Sequence, residues 1–334
     1  MYLKASLSLT ILIGLTLSFI NNATAKTDHQ SDQPYQLQQQ EQHWVDKKRK
    51  GLQNSLNGWA TKIDDYFGEI DPNDPASVNL RVIVDTRWNK YDNITIEPRV
   101  RANLHLPVLE NRLSLIIGDD SLDEETLLTE DTSRNSPQVE EVNIINEKQA
   151  RDDNASIAVR WTEFGEKLGL QTDVDLGIRS VDDVFFRVDI DKDIQLADKL
   201  ALSSDNLYRY GTKSEHYARG DIQLAYNAND SRTISNRTHV IYTNKDNEEN
   251  ISWGNSTRQI QTLDGNRQFS YGLTARGDIE GGSANVNSYG PVISYRQPIW
   301  HDWLFAQTEV TYYNDKAKNR NHHPAGLVRL EALF

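Results

Sequence analysis

The chain has 334 residues, no cysteine, 37% hydrophobic residues and a formal net charge of -13. The lack of cysteine excludes a disulfide-stapled scaffold and a lipid anchor on an N-terminal cysteine, and the acidic balance argues against a nucleic-acid partner. The mean hydropathy of -0.67 is low, but it suits a membrane protein in which only alternate residues meet lipid.

The first 25 residues have the features of a secretory signal peptide. Lys4 precedes an apolar run, and the small residues Ala23 and Ala25 close it in the pattern of a signal-peptidase site. We therefore predict export and cleavage after Ala25, with a retained membrane anchor as the alternative. No later stretch approaches the roughly 20 apolar residues of a membrane helix, so any membrane crossing must use strands.

Residues 26–79 are predicted to form a periplasmic amphipathic helix that ends at the sequence DPNDPAS. Its apolar stripe consists of Leu52, Leu56, Trp59, Ile63, Tyr66, Phe67 and Ile70. We expect this helix to pack on the periplasmic rim of the remaining chain. A plug inside a lumen and a docking helix for a periplasmic partner are the alternatives.

Residues 80–334 repeat segments of about ten residues in which apolar and polar side chains alternate, as they do in strands with one face in lipid. The alternation is clearest in residues 94–106 and 168–178 and least regular in residues 251–261. The count is about 14 strands, with 12 as the alternative. The predicted fold class is an all-β transmembrane antiparallel β-barrel.

The connections between these segments sort by length. When Phe334 is placed at the periplasmic end, the short connections fall on that side, and the longer ones, including residues 119–153, fall on the other side. Bacterial barrels have this asymmetry and an even strand number. Both ends of the predicted barrel therefore lie on the periplasmic side.

The signal peptide, the alternating strands and the final aromatic residue together resemble Gram-negative outer-membrane β-barrel proteins. The last strand resembles the signal that the barrel assembly machinery reads in that class, which here implies Val328, Leu330, Ala332 and Phe334. The resemblance implies a location in the bacterial outer membrane, among its lipids and lipopolysaccharide. It concerns architecture only, because no porin, receptor or enzyme subfamily motif is present.

The inward faces of the predicted strands carry many arginines and aspartates and almost no lysine. Arginine suits fixed, bidentate pairing with carboxylates, so one interpretation is a lumen of cross-strand ion pairs. The other is a transverse field acting on a polar solute, since the first four strands are rich in Arg and the next three in Asp. The lumen-lining candidates are Arg81, Arg87, Arg99, Arg101, Arg112, Arg160, Asp173, Asp175, Asp189, Asp191 and Asp205.

We predict a passive channel or a solute-uptake porin for a small polar solute. A closed structural or interaction barrel, whose N-terminal helix binds a periplasmic partner, is the alternative. The third hypothesis is a lipid hydrolase with Ser214 as nucleophile and His216 as base, although the sequence as a whole does not predict an enzyme. No His or Asp cluster has the spacing of metal ligands, so neither a metal nor a cofactor is predicted. The acidic segment 119–153 is expected to be mobile, to form a lid or to bind a divalent cation.

Overall fold

The structure, a computed structural model, describes residues 34–68, 74–109, 113–119, 155–165, 169–180 and 182–334. The chain divides into two units, Met1–Lys50 and Gly51–Phe334. One helix, α1, spans Pro34–Phe67, and a single 3-10 turn covers Pro107–Leu109. Among the described residues, no helix is both long and apolar enough to span a bilayer. The predicted signal peptide lies outside the described residues.

Fifteen strands make up most of the described chain. Their bounds are β1 Ser77–Asn89, β2 Asn93–His105, β3 Leu113–Asp119, β4 Ala155–Gly165, β5 Leu170–Arg179, β6 Asp183–Ala197, β7 Leu200–Gly211, β8 Glu215–Asn229, β9 Arg232–Lys245, β10 Glu248–Leu263, β11 Arg267–Glu280, β12 Ser283–Ala284, β13 Ser288–Trp300, β14 Leu304–Asp315 and β15 Arg320–Leu333. The two-residue β12 pairs only with β11 and lies in the connection to β13. The other 14 strands form the barrel.

The barrel closes because every long strand pairs antiparallel with two neighbours. β10 pairs with β11, and β1 pairs with β15 from Arg81 opposite Leu333 to Asn89 opposite Ala325, so the sheet has no free edge. Closure satisfies the backbone hydrogen bonds that hydrocarbon could not. The prediction of a closed antiparallel barrel with 14 strands is confirmed, and the count of 12 is wrong. The first strand begins at Ser77, slightly before the predicted start at residue 80.

The two faces of the barrel are chemically opposite. On the outer face, Ile94 and Ile96 are 66% and 63% exposed, whereas Arg99 and Arg101 on the inner face of the same strand are buried. Strand β5 repeats the pattern, with Leu176 exposed outside. A water-soluble protein would bury the apolar set, so this inversion indicates an outer wall that faces lipid.

Aromatic side chains mark the two ends of the outer wall. We call the end that carries Ser77 and Leu333 the base, and the end that carries the β1–β2 turn the mouth. Exposed aromatic residues near the mouth are Trp88, Tyr208, Tyr210, Tyr289 and Tyr312, and those near the base are Tyr226 and Tyr271. Such rings favour the interface between hydrocarbon and headgroups.

The mouth connections are shorter than the sequence predicted. The segment NKDNEEN was expected to be a loop, but β9 and β10 continue through most of it and leave only Asp246 and Asn247 as the turn. Both residues have positive φ, 56° and 62°, as a two-residue hairpin turn requires and as Asp and Asn tolerate. Except for Asp119 at the end of β3, the acidic segment 119–153 lies outside the described residues.

The Gly51–Phe67 part of α1 packs on the outer wall at the base. Leu56, Ala60 and Ile63 contact the outward-facing apolar residues of β1–β3, and the buried members of this cluster are Ala60, Ala76, Val78, Leu104 and Leu106. Two helix side chains accept backbone N–H groups of the barrel, from Val78 to Asn57 Oδ1 and from Val108 to Asp64 Oδ1, each at 3.1 Å. This part of the helix therefore lies outside the lumen.

The predicted apolar stripe of α1 is divided between two environments. Leu56 and Ile63 face the barrel, whereas Trp59, Tyr66 and Phe67 are exposed. The predicted Ile70 lies outside the described residues.

Candidate functional site

A belt of ion pairs lines the inner face of the barrel. We call it the lumen belt. No member has a side chain more than 15% exposed. Its members are Arg81, Asp85, Arg87, Glu97, Arg99, Arg160, Asp173, Asp175, Arg187, Asp189, Asp205, Arg219, Asp221, Arg237, Arg258, Arg296, Glu309, Arg329 and Glu331.

The densest part of the belt lies at the seam where β1 meets β15. Arg329 donates two hydrogen bonds to Asp85, from Nε to Oδ1 at 2.7 Å and from Nη2 to Oδ2 at 2.9 Å. Arg99 on β2 donates to the same carboxylate at 2.7 Å, and Arg87 lies 3.7 Å from it. One buried carboxylate thus serves three guanidinium groups across the join between the first and last strands.

Asp175 on β5, four strands away from β1, has a similar role. Arg160 on β4 donates two hydrogen bonds to its carboxylate, from Nε to Oδ1 at 2.7 Å and from Nη2 to Oδ2 at 2.8 Å. Arg187 on β6 lies 3.7 Å from Asp175 and donates to Asp189 at 2.8 Å. Because strand neighbours pair at each step, the charges compensate one another locally.

Two belt pairs join strands that are not neighbours: Arg296 on β13 pairs with Glu331 on β15, and Arg258 on β10 pairs with Glu309 on β14. Arg219 pairs with Asp205, and Arg237 pairs with Asp221, each between adjacent strands at 2.8 Å. Arg258 on β10, in contrast, donates from Nη1 to Glu309 Oε2 on β14 at 3.2 Å, although β11 and β13 lie between these strands. This contact therefore crosses part of the lumen.

Three buried aspartates form the group with metal-ligand geometry in the described part of the chain. Carboxylate oxygens of Asp189, Asp191 and Asp205 lie within 4.8 Å of one another, because Asp191 stands directly opposite Asp205 in the β6–β7 pairing. Carboxylate oxygens are the ligands that Ca²⁺ and Mg²⁺ prefer. The sequence predicted no metal site, since only the strand register brings these residues together. Arg187 on Asp189 and Arg219 on Asp205 offset part of the negative charge.

The inward charges are not evenly mixed around the barrel. Strands β5–β7 hold the buried acids Asp173, Asp175, Asp183, Asp189, Asp191 and Asp205 against the buried arginines Arg179, Arg187 and Arg209. Strands β1, β2 and β4 instead hold the inward arginines Arg81, Arg87, Arg99, Arg101 and Arg160 against the acids Asp85 and Glu97. The sequence predicted this distribution, and its effect on a solute stays a prediction.

The other lumen candidates lie at several points of the inner face. Arg81 donates to Glu331 at 2.7 Å. Arg101 donates to Ser156 Oγ on β4 at 3.2 Å, and both side chains approach the carbonyl oxygen of Gly118 on β3. The predicted Arg112 lies outside the described residues. Sequence reasoning missed Arg258, which sits in the strand with the least regular alternation.

The strand residues of the predicted assembly signal share one face of β15, as the resemblance implies. Val328, Leu330 and Ala332 alternate with the inward-facing Arg329 and Glu331, and Val328 is 47% exposed to the outside. The backbone of Phe334 exchanges hydrogen bonds with Leu80, at 2.9 and 3.0 Å. The end of the chain is thus part of the seam, and its recognition by assembly machinery stays a prediction.

The two residues of the hydrolase hypothesis lie in different surroundings. Ser214 belongs to the β7–β8 turn, where the Asp183 carboxylate accepts the backbone N–H groups of Lys213 and Ser214. His216 Nδ1 instead lies 2.9 Å from the Tyr208 hydroxyl on the outer wall. The contacts of these two residues in the described chain do not join them to each other, and the hydrolase hypothesis stays a prediction.

A clamp of two charged residues holds the mouth near the seam. Arg320 at the start of β15 donates to both carboxylate oxygens of Asp92 in the β1–β2 turn, one at 2.8 Å, and its guanidinium lies 4.8 Å from the ring centre of Tyr91. The hydrogen bond from Arg320 holds the pKa of Asp92 well below its ordinary value, assisted by Asn89 and opposed by partial burial.

Because of this clamp, we expect the free energy of unfolding of the barrel to depend on pH. A depressed carboxyl pKa stabilises the folded state above the unfolded pKa of 3.8, and this contribution is lost as the pH falls through the lower folded value. Arg320→Gln should therefore lower resistance to urea at pH 7, and the difference from wild type should narrow below about pH 4. Tryptophan fluorescence during urea unfolding in lipid vesicles measures both. Arg267→Gln, at the exposed base end of β11, is the control, and a deficit that does not change with pH would contradict the assignment.

The comparisons with known proteins assign no family to the chain. No protein-family model and no curated protein matches the chain. Among solved structures, it is similar to the trimer form of OmpT, an outer-membrane protein of Vibrio cholerae, with 6% identity, 78% of this chain and 99% of that chain covered and a TM-score of 0.47. It is also similar to OccK5 (OpdH) of Pseudomonas aeruginosa, with 7% identity, 78% and 97% coverage and a TM-score of 0.43.

At such identities only the fold is comparable, and closure, the apolar outer wall and the aromatic ends are properties of this chain itself. A closed antiparallel sheet with a lipid-facing exterior and an ionic interior is the architecture by which bacterial outer-membrane proteins cross their bilayer. The described part of the chain is therefore a closed 14-stranded β-barrel with the architecture of outer-membrane proteins.

Proposed function

We propose that the protein is a passive outer-membrane channel for ions and small polar solutes, and that the lumen belt is its selecting constriction. The observation that carries this proposal is the ring of ionised side chains on the inner face. Eight strands close on packed side chains and 16 to 18 leave a wide aqueous channel, so 14 strands suit a narrow passage. Rings of charged side chains are a common means of ion selection in pores.

The buried state of the belt implies a small conductance. A solute must pass between guanidinium and carboxylate groups that already pair with each other, so bulky solutes gain little from entering. The acid-rich sector of β5–β7 and the arginine-rich strands beside it offer separate contacts to the two ends of a dipolar solute.

Conductance of the full chain in planar lipid bilayers tests this proposal. Wild type should give discrete current steps, and the double variant Arg258→Ala, Glu309→Ala should give larger ones, because it removes both partners of the contact across the lumen together. Arg232→Ala, at the exposed base end of β9, is the matched control and should behave as wild type. If neither wild type nor the double variant conducts, although both migrate as folded barrels, the channel proposal is wrong.

A closed interaction barrel is the second candidate function. It is favoured by the burial of the lumen belt together with the exposed aromatic residues of α1, among them Tyr66 at 86% exposure. In that case the helix would be the functional element and would bind a periplasmic partner through these rings. The absence of current in both barrels of the experiment above would favour this function.

A further inference from the structure

A polar patch interrupts the lipid-facing wall in the middle of β9 and β10. We call it the outer amide patch, and it consists of Asn236, Thr238, Asn255 and Thr257. Its outward direction follows from its neighbours, because Ile234 and Val240, which flank it on β9 at every second position, are 43% and 41% exposed. On the adjacent strands, exposed Ile222, Leu224 and Leu273 stand opposite its members.

The four side chains form one hydrogen-bonded network across the two strands. Asn236 Nδ2 donates to Thr257 Oγ1 at 2.6 Å, and Asn255 Nδ2 donates to Thr238 Oγ1 at 2.7 Å. The two amides also donate to each other's oxygens, at 3.4 and 3.3 Å. Each amide oxygen keeps a second lone pair, so the patch can accept further hydrogen bonds.

Polar side chains at the location of the patch are energetically unfavourable in a bilayer. Residues 236 and 238 lie well inside a 14-residue strand, and 255 and 257 lie well inside a 16-residue strand, at the depth where water is absent. Polar side chains at this depth usually face another protein surface, where hydrogen bonds across the contact hold membrane segments together. Small outward residues beside the patch, Gly220 on β8 and Ala275 on β11, allow a second surface to approach closely.

We propose that the outer amide patch is the contact through which two copies of this chain pair in the membrane. The patch is neutral and has both donors and acceptors, so it needs no partner of opposite charge. A two-fold axis along the membrane normal sets β9 of one copy against β10 of the other. Since the register places Asn236 opposite Thr257 and Thr238 opposite Asn255, the amides of one copy then stand at the depth of the hydroxyls of the other. The contact is self-complementary, and it does not depend on whether the barrel conducts.

Disulfide cross-linking in membranes tests this contact directly, because the chain has no cysteine of its own. In an equal mixture, chains with Asn236→Cys and chains with Thr257→Cys should form a disulfide-linked dimer with each other on mild oxidation, because the two-fold contact sets position 236 of one copy against position 257 of the other. Leu176→Cys, which is also outward and is 62% exposed on β5, is the control and should stay monomeric. Equal cross-linking of the mixed chains and of Leu176→Cys would overturn the proposal, as would adducts of the mixed chains with other proteins only.

A second measurement keeps the proposal testable if the introduced cysteine disturbs the wall. The double variant Asn236→Val, Asn255→Val should fold well, because it replaces lipid-facing amides with apolar residues. Its association constant in detergent or bilayers should fall by about tenfold, equivalent to about 1.4 kcal/mol. A wild-type chain that stays monomeric at every concentration, or a double variant that associates as strongly as wild type, would show that the patch does not join two copies.

Discussion

Replacing Asp85 with asparagine is expected to lower the free energy of unfolding by about 3 to 5 kcal/mol, the range for a buried ion pair that loses one partner. Asp85 is fully buried, and its carboxylate serves Arg87, Arg99 and Arg329 at the seam. A neutral amide cannot compensate three guanidinium groups, and the charges then repel one another where the first and last strands must join. The result should be a barrel that opens at its seam.

Urea unfolding in lipid vesicles, read by fluorescence and by heat-dependent migration on gels, measures this loss. Asp230→Asn, in an exposed turn at the base, makes the same chemical change outside the lumen and should leave the unfolding curve unchanged. Glu97→Gln, which removes one of the two carboxylates paired with Arg87, should give a loss of stability between those of the other two variants. A wild-type unfolding curve for Asp85→Asn would mean that the seam does not depend on this carboxylate.

Gly118→Ala is expected to cost about 3 kcal/mol of stability, because two separate effects act at this position. The backbone of Gly118 has a φ of 117°, which residues with a side chain rarely adopt, and an added Cβ would lie 2.1 Å from the carbonyl oxygen of Val100 on β2. The substitution would also displace the carbonyl that Arg101 and Ser156 share. We therefore expect separation of β3 from β2.

Gly58→Ala is the matched control for this substitution. Gly58 lies in α1 with nothing within 4 Å of an added Cβ, and alanine favours a helix over glycine by up to about 1 kcal/mol. The control should be neutral or stabilising in the same unfolding experiment, and hydrogen exchange should locate the loss in Gly118→Ala to β2 and β3. Equal effects of the two substitutions would contradict the strain at Gly118.

The barrel could be predicted from the sequence because each strand meets two different media. In residues 94–106, nearly all of which form β2, apolar and polar side chains alternate so regularly that few folds other than a barrel with lipid outside and ions inside fit them. The least regular predicted strand, residues 251–261, lies within β10, and its irregularity has a physical cause. Asn255 and Thr257 put polar side chains on the lipid-facing side and so remove the contrast between the two faces. Because of the same loss of contrast, Arg258 could not be recognised from the sequence as a lumen residue.

Features that depend on distant residues could not be predicted. The cluster of Asp189, Asp191 and Asp205 needs the β6–β7 register, and the pair of Arg258 and Glu309 needs the curvature of a closed sheet. The division of the α1 stripe between barrel and exterior needs the outer wall of β1–β3 as a template. In each case one strand or helix carries the residue types, but a partner far away in the sequence fixes what they contact.

The placement of α1 makes the hydrophobic thickness of the protein uneven around its circumference. At the base of β1–β3 the helix, rather than acyl chains, covers Val78, Leu104 and Leu106, so lipid there meets a shorter apolar band than it does beside other strands. Bilayers respond to such mismatch by thinning locally, at a cost of fractions of a kcal/mol per ångström. The leaflet next to this sector is consequently compressed, and its acyl chains are less ordered than those on the far side of the barrel.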